Sequence, residues 1–147
     1  MDHREIIDLL PYSSPFLFVD ELLTVNEQGV EGKYTFRSDL PFFQGHFKNN
    51  PITPGAILTE CCAQIGLVCL GIYLLGTSFD EQSKIAMTST EMEFLVPVYP
   101  DEEVTIKSSK IYFRFNKLKC KVSMFNEQGK MVCNGIIAGV LKPDDGA

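Results

Sequence analysis

The sequence has no tryptophan, only two histidines and no cysteine pair with the Cys-x-x-Cys spacing. The five cysteines form an odd set without the spacing of a zinc site or a disulfide framework, and no secretory leader precedes them. We therefore expect no bound metal and a reducing, cytoplasmic location. The five are Cys61, Cys62, Cys69, Cys120 and Cys133.

Positive charge is also scarce, because 13 Lys and Arg stand against 19 Asp and Glu, for a net charge of −6. A nucleic-acid binder needs the opposite balance to hold phosphates, so we expect no such partner. The longest apolar run, at 65–75, is shorter than the ~20 residues that span a bilayer, and Glu60 and Gln64 interrupt it on its N-terminal side. We expect a core helix and no membrane partner.

The length of the sequence and its hydrophobic content of 45% are those of one globular domain, which we expect to span residues 1–147. The tetrapeptide NEQG occurs at 26–29, between strand-like runs at 16–25 and 30–37, and again at 126–129, between strand-like runs at 118–125 and 130–141, which predicts two hairpins. Further strands are predicted at 84–97 and 102–115, a short helix at 2–10, and a long apolar helix at roughly 54–75. This order favours an α+β fold with one long helix on one face of an antiparallel sheet.

The start of the long helix carries a candidate oxyanion donor. Thr53 is predicted as the N-cap and Pro54 as the first helical residue, where its missing N–H costs nothing. Gly55 then presents an unpaired first-turn N–H at the positive end of the helix dipole, with no side chain to block an oxygen atom. Alternatively, Gly55 simply lets the helix pack closely against a neighbour.

Two ionisable residues lie in the same region, FFQGHFKNNPITPGAILTE at 42–60. Glu60 and Gln64 are four apart on one helix face and can hydrogen-bond, and apolar surroundings would raise the pKa of Glu60 toward that of a general acid. His46 can take a proton near neutral pH. Glu60 at an exposed helix edge and His46 as a structural residue are the alternatives. A base, an acid and an oxyanion donor together match β-elimination from an acyl thioester.

The sequence resembles the 3-hydroxyacyl-[acyl-carrier-protein] dehydratases of the FabZ type. The resemblance is carried by PFLFVD at 15–20, PFFQGHF at 41–47, PITPG at 51–55 and AILTECCAQ at 56–64. It implies a hotdog fold, an antiparallel sheet wrapped around one long central helix. It also implies a homodimer, alone or assembled further as a trimer of dimers.

In that family the acyl tunnel lies at the dimer interface, so the resemblance places His46 of one subunit opposite Glu60 of the other. It implies a lyase without cofactor that converts a (3R)-hydroxyacyl thioester on acyl-carrier protein to the trans-2-enoyl product, in fatty-acid or related polyene or polyketide synthesis. His46 would be the base and Glu60 the acid. The substrate contacts would come from Gly55, Gln64, Phe47 and Pro54.

The chain departs from the family at YSS 12–14, at KNN 48–50 and at Leu95-Val96, where basic residues are common. Asn49 can supply the left-handed conformation of the glycine it replaces. A basic cluster is a candidate footprint for an acidic carrier protein, or else a solvated edge strand protected by lysines. It comprises Lys107, Lys110, Arg114, Lys117, Lys119 and Lys121.

Two other functions compete with the dehydratase. A hotdog thioesterase would use the same tunnel to direct water at the carbonyl, and a non-catalytic partner of acyl-carrier protein would keep the fold without turnover. A nucleophilic Cys61 or Cys62 is disfavoured, because neither has a histidine near in sequence and both resemble helix-packing residues.

Overall fold

A computed structural model describes residues 1–142, and the polar tail at 143–147 lies outside them. Six antiparallel strands form one sheet in the order β1-β2-β4-β5-β6-β3, and a helix, α1 (His3–Asp8), precedes them. The α+β prediction is confirmed. The strands are β1 (Glu21–Asn26), β2 (Gly29–Thr35), β3 (Lys84–Phe94), β4 (Glu103–Arg114), β5 (Lys117–Phe125) and β6 (Met131–Lys142).

Both NEQG turns close hairpins as predicted, β1 with β2 and β5 with β6. The asparagine is the reason in each case. Asn26 Oδ1 accepts from the N–H groups of Gln28 and Gly29, and Asn126 Oδ1 accepts from those of Gln128 and Lys130. An asparagine side chain that accepts hydrogen bonds from the N–H groups of its own turn stabilises that turn locally, so the turn does not depend on distant packing.

The first strand begins later than the pattern predicts, at Glu21 instead of residue 16. The preceding residues have other partners, because Phe18 N–H donates to the side chain of Gln64 on the long helix. Alternating hydrophobicity cannot distinguish a segment paired with a strand from one paired with a helix side chain.

The central helix runs from Gly55 to Ser78 and confirms the predicted long helix. It comprises α2 (Gly55–Ala63), a π-helical turn at Gln64–Cys69, α3 (Leu70–Leu75) and a final 3₁₀ turn. The π-helical turn contacts β2, β4, β5 and β6, so the sheet wraps around it.

Within residues 1–142 the central helix is the one helix long and apolar enough to cross a bilayer, with a mean hydropathy of 1.8, yet 72% of that stretch is buried. Its apolar character is that of a core helix.

The predicted N-cap is wrong. Pro54 is the N-cap, no side chain caps the helix, and the first intrahelical bonds are donated by Ile57 and Leu58 to the Pro54 carbonyl. Thr53 is instead held in extended chain by its N–H, which donates to the Val98 carbonyl over 2.9 Å. Its hydroxyl oxygen is buried and has no hydrogen-bond partner among the described residues.

Strand β3 lies at an edge of the sheet and pairs there with β6 alone. It is 11 residues long and carries exposed apolar side chains, with Met87 44% and Phe94 49% exposed. Natural proteins rarely leave a long apolar edge strand open, because its free N–H and C=O groups pair with other chains. This edge therefore has the character of a surface covered by another molecule.

Candidate active site

Glu60 lies in the second turn of the central helix and is held there by Gln64. Gln64 Nε2 donates to Glu60 Oε2 over 3.0 Å and to the Phe16 carbonyl over 2.9 Å, while Gln64 Oε1 accepts from Phe18 N–H over 2.8 Å. The predicted hydrogen bond between Glu60 and Gln64 is therefore present. Gln64 is completely buried, and its partners fix the orientation of the carboxyl group next to it.

The environment of Glu60 favours its protonated form. Burial raises the pKa of this carboxyl above its ordinary value, and the hydrogen bond from Gln64 lowers it by less. Desolvation disfavours the charged form of an acid, so a carboxyl in this setting keeps its proton at higher pH than an exposed one. A proton held near neutral pH is what a general acid needs.

His46 lies in a loop that follows a 3₁₀ turn at Pro41–Gln44. Its Nδ1 is 2.8 Å from the carbonyl oxygen of Ile52, and its own carbonyl accepts from Ile52 N–H over 2.8 Å. A proton on Nδ1 donates to that carbonyl and leaves Nε2 as the proton acceptor. The ring stacks on Phe47, with 3.9 Å between centroids. The loop therefore fixes the imidazole and leaves one nitrogen available as a base.

The short loop beyond His46 closes through two hydrogen bonds between Phe47 and Asn50, of 2.8 and 3.0 Å. Asn49 has a φ of 59°, so the prediction that it adopts the left-handed conformation is confirmed. The departure KNN thus preserves the turn that positions His46. Phe47 itself is 54% exposed, which leaves its outer face free for contact with another molecule.

Gly55 is the first residue of α2, and its N–H precedes the first intrahelical bonds. A Cβ at this position would meet the ring of Phe94 at 3.3 Å, so close packing is also observed. A cavity of about 270 Å³ opens beside it, lined by Thr53, Gly55, Leu58 and residues 94–97. The departure at Leu95-Val96 therefore makes this cavity more apolar than basic side chains would.

Within residues 1–142 no hydrogen bond or ion pair joins His46 to Glu60. Ala56, one turn before Glu60, lines a cavity of about 460 Å³ together with Thr59, Met87, Thr90, Met92 and Phe94. Two helix residues that precede Glu60, Ala56 and Thr59, therefore border the edge strand β3.

Sequence analysis assigned no role in the site to two residues that lie near it, Tyr12 and Thr53. Burial raises the pKa of Tyr12 to about 12, and the nearby charge of Glu60 is the second cause of this increase. Tyr12 therefore lies close to Glu60. Thr53, 3% exposed, borders the cavity next to Gly55 with its unpartnered hydroxyl. Tyr12 lies beyond the C-terminal end of α1 at Asp8, and only tertiary structure brings this segment to the central helix.

The cysteines are packing residues in the described part of the chain. All five are free and buried, and burial raises the pKa of the Cys61 thiol well above its usual value, which disfavours a nucleophilic thiolate. No group of three or more His, Cys, Asp or Glu side chains in residues 1–142 is arranged to hold a metal ion.

An antiparallel sheet wrapped around one long central helix defines a hotdog-fold protein. The family model of the FabA-like domain matches residues 10–140. The chain therefore belongs to the FabA-like domain family, and among its members it is FabZ-like. The fold that the resemblance implied is confirmed.

Two relatives illustrate the similarity. The 3-hydroxyacyl-[acyl-carrier-protein] dehydratase FabZ of Anaplasma phagocytophilum is 32% identical over 120 residues, which cover 81% of this chain and 83% of the relative. The FabZ of Caldicellulosiruptor bescii is 31% identical over 140 residues, which cover 94% and 96%.

Among solved structures, the dehydratase heterocomplex ApeI:P of Xenorhabdus doucetiae matches with a TM-score of 0.78 at 15% identity, over 95% of this chain and 91% of that one. A hypothetical thioesterase of Streptococcus pneumoniae matches with a TM-score of 0.61 at 14% identity, over 84% and 86%. At these identities the likeness concerns the fold alone.

Proposed function

We propose that the protein is a 3-hydroxyacyl-[acyl-carrier-protein] dehydratase of fatty-acid synthesis or of a related polyene or polyketide pathway. The observation that carries the proposal is the half-buried carboxyl of Glu60, whose pKa burial raises above its ordinary value and whose orientation Gln64 fixes. The relatives that bear the name FabZ support the same activity.

The reaction is an elimination in which His46 Nε2 removes the proton from the carbon next to the thioester carbonyl. The carbonyl oxygen, which gains negative charge, accepts a hydrogen bond from Gly55 N–H at the positive end of the central helix. The protonated carboxyl of Glu60 gives its proton to the departing 3-hydroxyl group, so the C–O bond breaks and water leaves. Proton transfer from the imidazolium back to the carboxylate through water restores both groups.

The chemistry consists of proton transfers and one carbon–oxygen cleavage, so the proposal includes no metal and no organic cofactor. We assign substrate contacts to Phe47, Pro54 and Gln64 besides Gly55. Phe47 stacks on His46, Pro54 is the N-cap next to Gly55, and Gln64 orients the acid. The buried free thiols suit the reducing cytoplasm in which we place the protein.

We further propose a homodimer in which β3 pairs with β3 of a second copy. The exposed edge of β3 and the cavity beside Ala56 and Thr59 support this, because a second copy would cover both. His46 of that copy would then complete a site that contains Glu60 of the first. A trimer of dimers is the larger assembly that we would test for.

The direct test is the ultraviolet absorbance of the enoyl thioester during incubation with 3-hydroxyacyl-carrier proteins of several chain lengths. We expect His46→Ala and Glu60→Gln each to lower kcat by at least about 10²-fold, the contribution of a positioned acid or base. His3→Ala is the matched control, since His3 Nδ1 also lies 2.8 Å from a backbone carbonyl, that of Leu22. Full activity in both site variants would refute the assignment.

Two other outcomes would replace the proposal. Release of free thiol from acyl-carrier protein, without enoyl product, would identify a thioesterase. Binding of acyl-carrier protein with neither product would identify a non-catalytic partner.

A further inference from the structure

Thr53 carries the one buried side-chain polar atom that has no hydrogen-bond partner in residues 1–142. The residue is 3% exposed, so neither the described protein groups nor bulk solvent satisfies its hydroxyl group. An unpaired buried group costs free energy, and folded proteins retain very few of them. A hydroxyl that is kept in this state is a candidate for a hydrogen bond to a molecule that the protein binds.

Thr53 borders the cavity of about 270 Å³ beside the start of the central helix. The other side chains that line this cavity are apolar and belong to Leu58, Phe94 and the residues at 95–97, while Gly55 contributes backbone alone. Among these described lining residues Thr53 therefore has the one polar side chain. In a mostly apolar cavity, a few polar groups of this kind fix the orientation of a ligand.

The backbone on both sides of Thr53 is held in place. Its N–H donates to the Val98 carbonyl over 2.9 Å. The preceding residue, Ile52, binds His46 twice, because its N–H donates to the His46 carbonyl over 2.8 Å and its own carbonyl lies 2.8 Å from His46 Nδ1. Two residues after Thr53 the chain enters the central helix at Gly55. Thr53 thus lies on one continuous segment with the proposed base and the proposed carbonyl donor.

A single rotation of the Thr53 side chain changes the direction of its hydroxyl group. The oxygen atom is covered in the free protein, although the residue borders the cavity. A step of one staggered rotamer about the Cα–Cβ bond moves the hydroxyl to another of the three positions on Cβ. The rotation breaks no hydrogen bond within residues 1–142, because the hydroxyl makes none there. An acceptor atom bound in the cavity would therefore supply a hydrogen bond that the free protein lacks.

We propose that the Thr53 hydroxyl is a second donor to the thioester carbonyl oxygen, beside Gly55 N–H. This inference rests on the proposed function, in which that oxygen gains negative charge when the base removes the neighbouring proton. Two donors stabilise the charge better than one, and an apolar cavity wall that excludes water strengthens both hydrogen bonds. The hydroxyl keeps its own proton throughout. Thr53 is then a catalytic residue, because it touches the reacting group.

At this position, stability and catalysis make opposite demands on the side chain. The free protein would be more stable with an apolar side chain of the same shape, because the hydroxyl stays unpaired until the substrate binds. The hydroxyl stabilises only the complex, and most strongly its transition state. A residue with a purely structural role would behave differently, since the variant that lost activity would also be the variant that lost stability.

The test separates the hydroxyl from the shape of the side chain. Thr53→Val keeps the shape and Thr53→Ser keeps the hydroxyl, and both are compared by kcat, KM and unfolding in denaturant. With 3-hydroxyacyl-carrier protein as substrate, we expect Thr53→Val to lower kcat about 10²-fold, the lower end for loss of one oxyanion donor, and to change KM less. The valine variant should at the same time be more stable than wild type. Thr53→Ser should retain most of the activity and be less stable.

Thr105→Val is the matched control for the chemical change. Thr105 lies on β4 between the buried residues Val104 and Ile106, so its side chain points to the outer face of the sheet, away from the central helix. The same replacement of a hydroxyl by a methyl group should leave kcat unchanged there.

Full kcat in Thr53→Val would overturn the inference, as would an equal loss of kcat in Thr53→Val and Thr53→Ser. A valine variant that lost stability together with activity would assign Thr53 a structural role and also overturn it. The opposite changes of activity and stability in the valine variant, with activity retained by serine, would support the second donor.

Wild-type protein without turnover would refute the proposed function instead. In that case the hydrogen bond is measured directly, from the infrared carbonyl stretch of a bound hexanoyl thioester of N-acetylcysteamine. This probe lacks the 3-hydroxyl group and cannot be dehydrated. A carbonyl frequency that is higher in Thr53→Val than in wild type would show that the hydroxyl donates to the carbonyl oxygen. Equal frequencies, or no bound thioester in the wild type, would overturn the inference.

Discussion

The side chain of Gln64 connects Glu60 to the segment that precedes β1. Its Nε2 lies 3.0 Å from Glu60 Oε2, and its Oε1 lies 2.8 Å from the backbone nitrogen of Phe18. One completely buried amide therefore orients the proposed acid and ties the central helix to the N-terminal part of the chain. Stability and chemistry depend on the same side chain.

Gln64→Met should reduce both stability and activity. It leaves Phe18 N–H and the Phe16 carbonyl without their partner, and each buried group left unpaired costs roughly 1–3 kcal/mol of unfolding free energy. The hydrogen bond also lowers the pKa of Glu60, so its loss should raise that pKa and move the alkaline limb of the rate–pH profile to higher pH. Denaturant unfolding and a pH profile of the residual activity measure the two effects. An unchanged alkaline limb would contradict the role assigned to Gln64.

Glu60→Gln should remove activity without lowering stability at neutral pH. Because the pKa of Glu60 is raised in the folded state, its contribution to stability is fully present below the unfolded pKa of about 4.3 and is lost as pH rises through the folded value. Glutamine mimics the protonated acid at every pH. The stability of the variant relative to wild type should therefore increase between pH 4.5 and 8, as thermal unfolding across that range can measure. A relative stability that decreases with pH would mean that the carboxylate form is the one favoured by the fold.

A mixture of His46→Ala and Glu60→Gln chains should regain activity if each site is shared between two subunits. A heterodimer holds one intact site, with His46 from one chain and Glu60 from the other. Random exchange should then restore about a quarter of the wild-type sites. The assay is enoyl absorbance after co-refolding, with each variant alone as the control. No recovery, in a mixture shown by mass spectrometry to contain heterodimers, would place both residues of a site in one chain.

Thr53→Val should raise the unfolding free energy, because it removes a buried hydroxyl that has no partner in residues 1–142 and keeps the shape of the side chain. An unsatisfied buried polar group costs about 1–3 kcal/mol. Thr53→Ser keeps the hydroxyl and loses a methyl group, and should be less stable than wild type. If valine destabilised the protein, the hydroxyl would have a stabilising interaction in solution.

Sequence reasoning correctly predicted the features that are stabilised by contacts between residues close in the sequence. The asparagine of each NEQG turn binds its own loop, and Glu60 and Gln64 face each other because they are one helical turn apart. The left-handed Asn49 belongs to the same group.

The parts that were missed depend on distant partners. The start of β1 was misplaced because Phe18 pairs with Gln64, 46 residues away, and Thr53 failed as an N-cap because its backbone is held by Val98. Tyr12 was treated as a change in a flanking segment, although the fold brings it beside Glu60. No local pattern contains such information.

The π-helical turn at Gln64–Cys69 makes the length of the central helix a constraint in its own right. Such a turn amounts to one residue inserted into an α-helix, which changes the phase between the two flanking helical segments by about 100°. On one side of it Ala56 and Thr59 face the edge strand β3, and on the other Gly71 packs against Leu141. A one-residue deletion here would leave Glu60 in the sequence and still change the direction in which its side chain points relative to the second half of the helix. Homologous chains whose central helix is one residue shorter at this turn would therefore have to realign one half of the helix.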